Sequence, residues 1–133
     1  KQRLLQRSSE EKLYANLLRL KYDLEDYTNG NEYDKDKSTS YYLSEYLKIT
    51  GRNQKELSAD IDVHPTRLSR ILNDNERLSL SIAYRLERHS GDIIPSILWW
   101  KLIQKDIEQE IIKGTEEKEK EKDRVKHVVF TRA

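Results

Sequence analysis

The sequence predicts an all-α fold. Apolar residues recur at steps of three and four over most of the chain, and helix-capping and helix-stopping residues punctuate it at short intervals. No period-two alternation occurs before Val125. The 133 residues fit one domain with a helical extension. Hydrophobic residues make up 35% and charged residues 37%, which implies a modest core and long, solvent-washed elements. The formal net charge is +1, so any nucleic-acid partner has to be argued from local charge placement. The absence of cysteine excludes a disulfide scaffold, a thiolate metal site and a cysteine nucleophile, and it fits a cytoplasmic protein. The longest apolar stretch, Ile93 to Ile103, is interrupted by Pro95, Ser96 and Lys101 and is too short to cross a bilayer, so no membrane partner is expected. The start, Lys1-Gln2-Arg3-Leu4-Leu5, has an apolar run of only two residues and does not read as a signal peptide. No methionine occurs, even at position 1, so the chain is expected to lack its natural start.

The elements follow in order. Ser8 and Glu11 have capping-box spacing and predict a helix from there to about Tyr27. Leu13, Leu17, Leu20, Leu24 and Tyr27 form one stripe on it, open to packing within the domain or to a second chain. Thr28 to Ser38, with Asn29-Gly30 and alternating Asp and Lys, reads as a loop and as the boundary before a compact core. Tyr42, Leu43, Tyr46, Leu47 and Thr50 share a helix face that Gly51 ends. Asn53 caps a helix from Gln54 to Ile61. After a tight turn at Asp62-Val63, His64 caps another with Pro65 at its first position, where a missing amide donor costs nothing. That helix reaches about Asn73. Ser79 or Ser81 caps the next, which stops at Ser90-Gly91, and Pro95 opens a long helix through Ile112. Thr115 to Arg124, a mixed run of Glu and Lys, predicts a solvated helix with no assigned function, and the alternation from Val125 to Phe130 predicts a short terminal strand. The expected division is therefore 1–38, 39–113 and 114–133.

The segment Asn53 to Asn73 carries the chemistry. Leu57, Ile61, Val63, Leu68, Ile71 and Leu72 are its apolar positions, and small Ser58 and Ala59 lie where two helices cross closely, as a helix-turn-helix requires. The second helix of that motif enters the DNA major groove. With Leu68, Ile71 and Leu72 inward, the outer face presents Pro65, Thr66, Ser69 and Arg70, with Arg67 beside it. From Val63 to Asn73 there are two arginines and no acid. Arg70 can present a fork to guanine, and Thr66 can hydrogen-bond a base or touch a thymine methyl. Arg67 is placed for phosphate, and Asn53, Gln54 and Asn73 sit at helix ends that can grip phosphate oxygens. His64 is read both as a cap and as a base contact. Two amphipathic helices with arginines outside also occur in ordinary bundles, so spacing alone leaves a purely structural reading open.

From about Tyr42 to Gln104 the chain resembles the Cro/repressor-type (XRE) helix-turn-helix family at Gln54, Glu56, Leu57, Val63, Leu68, Ile71, Leu72 and Asn73. Within that family it is similar to HigA-type antitoxins, through Leu78-Ser79 followed by Ile82-Ala83-Tyr84-Arg85-Leu86, then Gly91, then Trp100, Ile103 and Gln104 after a proline. The resemblance implies a lambda-repressor-like bundle of about five helices, here with an extra N-terminal helix and a charged C-terminal tail. It also implies an antitoxin that neutralises a RelE/HigB-like RNase toxin and represses its own operon. Asp62 stands where the family has a turn glycine, Pro65 where it often has a polar base-reader, and Asp74-Asn75 where it has a glycine-containing loop. The gap from Pro95 to Trp100 is longer than usual. One such module reads a half-site, so a homodimer on an inverted repeat is expected, its recognition helices about 34 Å apart. Trp99 or Trp100, with Ile103 and Ile107, are the expected dimer contacts, the tryptophans being equally open to a core role. Leu13, Leu17, Leu20 and Leu24 are the expected toxin contacts.

Two other readings compete: a stand-alone repressor without a toxin, and a protein-interaction module whose helix-turn-helix no longer reads DNA. An enzyme is the class least favoured. His64, His89 and His127 lack metal-ligand spacing, and no phosphate loop or nucleophile motif is present, so neither metal nor cofactor is expected.

Overall fold

The computed structural model describes the backbone of residues 2–132 and the side chains of residues 8–132. Seven helices and no strand occur among the described residues: α1 (Gln2–Asn29), α2 (Thr39–Thr50), α3 (Gln54–Asp60), α4 (Pro65–Leu72), α5 (Leu80–His89), α6 (Ser96–Lys113) and α7 (Thr115–Lys122). The local signals explain most boundaries. Ser38 caps α2 by accepting from the Tyr41 amide, and Gly51, at φ 69°, closes it. Asn53 and Glu56 form a reciprocal capping box at the start of α3. Ser79 caps α5 by accepting from the Ile82 amide. Among the described residues, no helix is long and apolar enough to cross a membrane.

Two boundaries differ from expectation. α1 begins at Gln2, so the box-like spacing of Ser8 and Glu11 lies inside it. Leu4, Leu5, Gln6 and Arg7 are good helix formers, and nothing in that run stops the helix before Ser8. At the other end, residues 125–130 form no strand. A strand needs a partner to receive its backbone hydrogen bonds, and no other extended segment is offered here. Val129 and Phe130 stand in solvent, and α7 is exposed along its whole length.

α6 is the central strut, packed on α1, α2 and α5, while α2 also packs on α4, and α3 on α4. Trp99 of α6 is completely buried and meets Tyr46 of α2 edge-on, with ring centroids 6.1 Å apart. Around them lie Leu24, Tyr42, Leu43, Leu57, Leu68, Leu86, Ile94 and Leu102, all fully buried.

This core corrects several expected interface residues. Leu17, Leu20 and Leu24 are buried within it, so the α1 stripe is spent on the chain's own packing, and of the proposed toxin contacts only Leu13 is exposed. Trp99 and Ile103 are likewise buried and cannot meet a second chain, and Ile107 is half-buried against the same core. Trp100 alone of that set is exposed, because at about 100° per residue it falls outside the arc of α6 that Leu98, Trp99, Leu102 and Ile103 turn to the core. From Ser8 to Ala15 every α1 residue is exposed, so this stretch of the helix stands clear of the core.

Candidate nucleic-acid interface

α3 and α4 are joined by a four-residue turn, Ile61 to His64, whose backbone explains its sequence. Asp62 adopts φ 54°, a left-handed conformation that aspartate tolerates better than most residues. The reversal lets the Val63 amide donate to the Ser58 carbonyl at 2.9 Å, and the Val63 side chain is buried. Ser58 is buried where the helices approach, whereas Ala59, expected there too, is exposed. Arg85 of α5 completes the turn: its Nη1 donates to the carbonyls of Ile61 at 3.1 Å and Asp62 at 2.8 Å. Those carbonyls have no partner within α3, and a guanidinium satisfies both at once.

α4 then leaves the turn with Pro65 at its first position. The His64 Nδ1 accepts from the Thr66 amide at 3.1 Å, which gives His64 the capping role. Leu68 and Ile71 are buried and Leu72 half-buried, so the outer face is the one the sequence specifies. Pro65, Thr66 and Arg70 are exposed, and Arg67 and Ser69 are half-buried beside them.

The helix-end residues divide. Gln54, at the first position of α3, is exposed. The Asn53 side-chain oxygen is committed to the Glu56 amide at 2.8 Å. Asn73 turns back on α4, its amide nitrogen donating to the Ser69 carbonyl at 2.8 Å, so it serves as a helix-end cap.

The two arginines are not free. The loop after α4 reverses at Asp74, where φ is 59°, and the amides of Asn75 and Glu76 both donate to the Arg70 carbonyl. That fold-back delivers the Glu76 carboxylate to the helix. One oxygen accepts from Arg67 Nε at 2.6 Å; the other accepts from Arg70 Nε at 3.1 Å and pairs with its Nη2 at 3.0 Å. The bond from Arg67, and then that from Arg70, hold the Glu76 carboxyl below its ordinary range, so it stays ionised. The sequence signal for Glu76 lay just beyond the acid-free window ending at Asn73.

A second polar network braces the back of the motif. Arg52 grips Asp60 with two bonds of 2.8 and 2.7 Å, Asp60 meets His89 Nε2 at 2.9 Å, and His89 Nδ1 meets the Tyr46 hydroxyl at 2.6 Å. Arg52 and His89 together hold the Asp60 carboxyl below its ordinary range, and burial pushes the Tyr46 hydroxyl up. The chain links α2, α3 and α5 and leaves the outer face of α4 untouched. Among the described residues, no cluster of three or more histidine or acidic side chains is arranged to hold a metal ion.

What the fold and this surface define is a small helical domain displaying one short, basic, solvent-facing helix. No family model, curated protein or solved structure matches the chain.

Proposed function

We propose that the chain is a sequence-specific DNA-binding protein in which α3 and α4 act as a Cro/repressor-type helix-turn-helix within a lambda-repressor-like bundle. The observation that carries this reading is the division of α4: Leu68 and Ile71 are sealed inward while Thr66 and Arg70 are displayed outward. An α-helix fits the major groove, where an arginine fork matches guanine and a threonine suits thymine or a polar base edge. Gln54 is the phosphate contact at the start of α3. One domain reads one half-site, and a two-fold pair on an inverted repeat supplies the rest. The resemblance to HigA-type antitoxins extends the proposal: the chain represses its own operon in the cytoplasm and neutralises an RNase toxin encoded beside it. Leu13 and the exposed stretch of α1 from Ser8 to Ala15 are the toxin-facing surface that remains after the core has taken Leu17, Leu20 and Leu24.

The test is binding of the purified chain to short duplexes at rising salt. With about four to six phosphate contacts per subunit, affinity should fall roughly 10²–10³-fold between 50 and 200 mM salt. No duplex binding, or binding indifferent to salt, refutes the DNA half. Co-purification with the product of the neighbouring gene tests the antitoxin half, and its absence favours a stand-alone repressor. The pairing of both α4 arginines with Glu76 favours a second reading, a protein-interaction module, which the same salt series separates.

A further inference from the structure

Glu76 sits where a DNA-binding surface would be expected to avoid an acid. It lies on neither α3 nor α4, yet its carboxylate is brought to both α4 arginines by the reversal at Asp74 and the two amide bonds to the Arg70 carbonyl. We infer that Glu76 is a specificity-determining positioning residue, aligning Arg70 for a guanine edge and restraining Arg67 from unselective grip on phosphate. The inference rests on the DNA-binding reading.

The geometry supplies both halves. A guanidinium has five N–H donors in one plane. Glu76 occupies the edge of Arg70 formed by Nε and Nη2, which leaves the terminal edge between Nη1 and Nη2 for a second planar partner. Guanine offers such a partner with its O6 and N7 acceptors. Half the Arg70 side chain is still exposed, so the terminal edge is reachable from solvent. A long side chain already held by one carboxylate loses less freedom on meeting a base than a free one. The charge balance works in the same direction. Two guanidiniums with one carboxylate present a local +1 instead of +2, which weakens attraction to any phosphate backbone while leaving a geometric match to a base unaffected.

Three chains test this: wild type, Glu76→Gln and Glu76→Asp, each first shown to keep its helical circular dichroism and melting temperature. The probes are the duplex selected by the wild-type chain from a pool with a randomised centre, and a scrambled version of it. Glu76→Gln keeps the side-chain size and removes the charge. It should bind the scrambled duplex about tenfold more tightly, lower the ratio of selected to scrambled affinity about tenfold, and steepen the salt slope by about 0.9, one phosphate contact. Glu76→Asp keeps the charge but shortens the reach. It should retain the wild-type salt slope while losing part of the preference. A merely structural Glu76 would move neither salt slope nor preference once folding is matched. If the wild type binds duplex and Glu76→Gln leaves both unchanged, the role of Glu76 is overturned and the DNA-binding reading stands. If the wild type binds no duplex at low salt, both are overturned.

Discussion

Truncating Leu24 to alanine should cost about 3–4 kcal/mol of stability, because α1 is anchored to the core by a fully buried side chain. The change removes three carbon atoms, worth about 2.4 kcal/mol at ~0.8 kcal/mol each. A cavity penalty adds to this, since α2 and α6, packed on α1, have their own anchors and collapse only partly. For a domain of this size, roughly 4 °C of melting temperature per kcal/mol gives a drop of about 12–16 °C. The control is Leu13→Ala on the same helix, where the side chain is exposed and the cost should stay within about 0.5 kcal/mol. Urea unfolding followed by far-ultraviolet circular dichroism measures both, and an unchanged m-value confirms that the same cooperative unit is being unfolded. Equal stabilities for the two variants would refute the docking of α1. The same reasoning makes deletion of residues 1–28 a test of folding, since it removes three core leucines. Leu13 is the residue with which to probe the proposed toxin contact.

Arg70→Ala should reduce discrimination between the selected and a scrambled duplex by about 1–3 kcal/mol, read from the two dissociation constants. Asp62→Val should destabilise the fold by about 1–2 kcal/mol, because a β-branched residue resists the positive φ at the α3–α4 turn, while Asp62→Gly should be near neutral; chemical denaturation distinguishes them. Asp106 is held above its ordinary range, chiefly by burial, which outweighs the two bonds its carboxylate accepts from Thr39. Its folded-state value lies above its unfolded one, so its favourable contribution is complete below the ordinary aspartate range and is lost as pH rises through the folded value. Asp106→Asn, which cannot ionise, should therefore raise the melting temperature at neutral pH, with the gain shrinking as the buffer is acidified.

How far the sequence discloses this molecule depends on the range of the interaction concerned. Caps act within three or four residues, so Asn53, Pro65 after His64 and Gly51 are legible as written, and Ser79 is one of the two serines the sequence offers for α5. The spacing of Ser8 and Glu11 is equally good, yet the helix runs through it, because a capping box only marks an end where the preceding residues leave the helical conformation. The leucine stripe of α1 fits the core or a partner equally well by periodicity, and only α2 and α6 lying against it decide for the core. Trp99 and Trp100 are adjacent in sequence, and it is Trp99 that turns inward, with Leu98, Leu102 and Ile103, to meet Tyr46 of another helix. The outward face of α4 follows from Leu68 and Ile71, but Glu76 reaches it through a left-handed reversal at Asp74 that no helical periodicity registers. Arg85 likewise belongs to α5 by spacing and to the α3–α4 turn by contact.

Methylation interference on the selected duplex reports groove and residue together. A methyl on guanine N7 lies in the major groove, and one on adenine N3 lies in the minor groove. If α4 enters the major groove through Arg70, N7 methylation of at least one guanine per half-site should block the wild-type chain, and Arg70→Ala should be indifferent to that same methyl. Interference confined to adenine N3, or an identical pattern for the two chains, would contradict it.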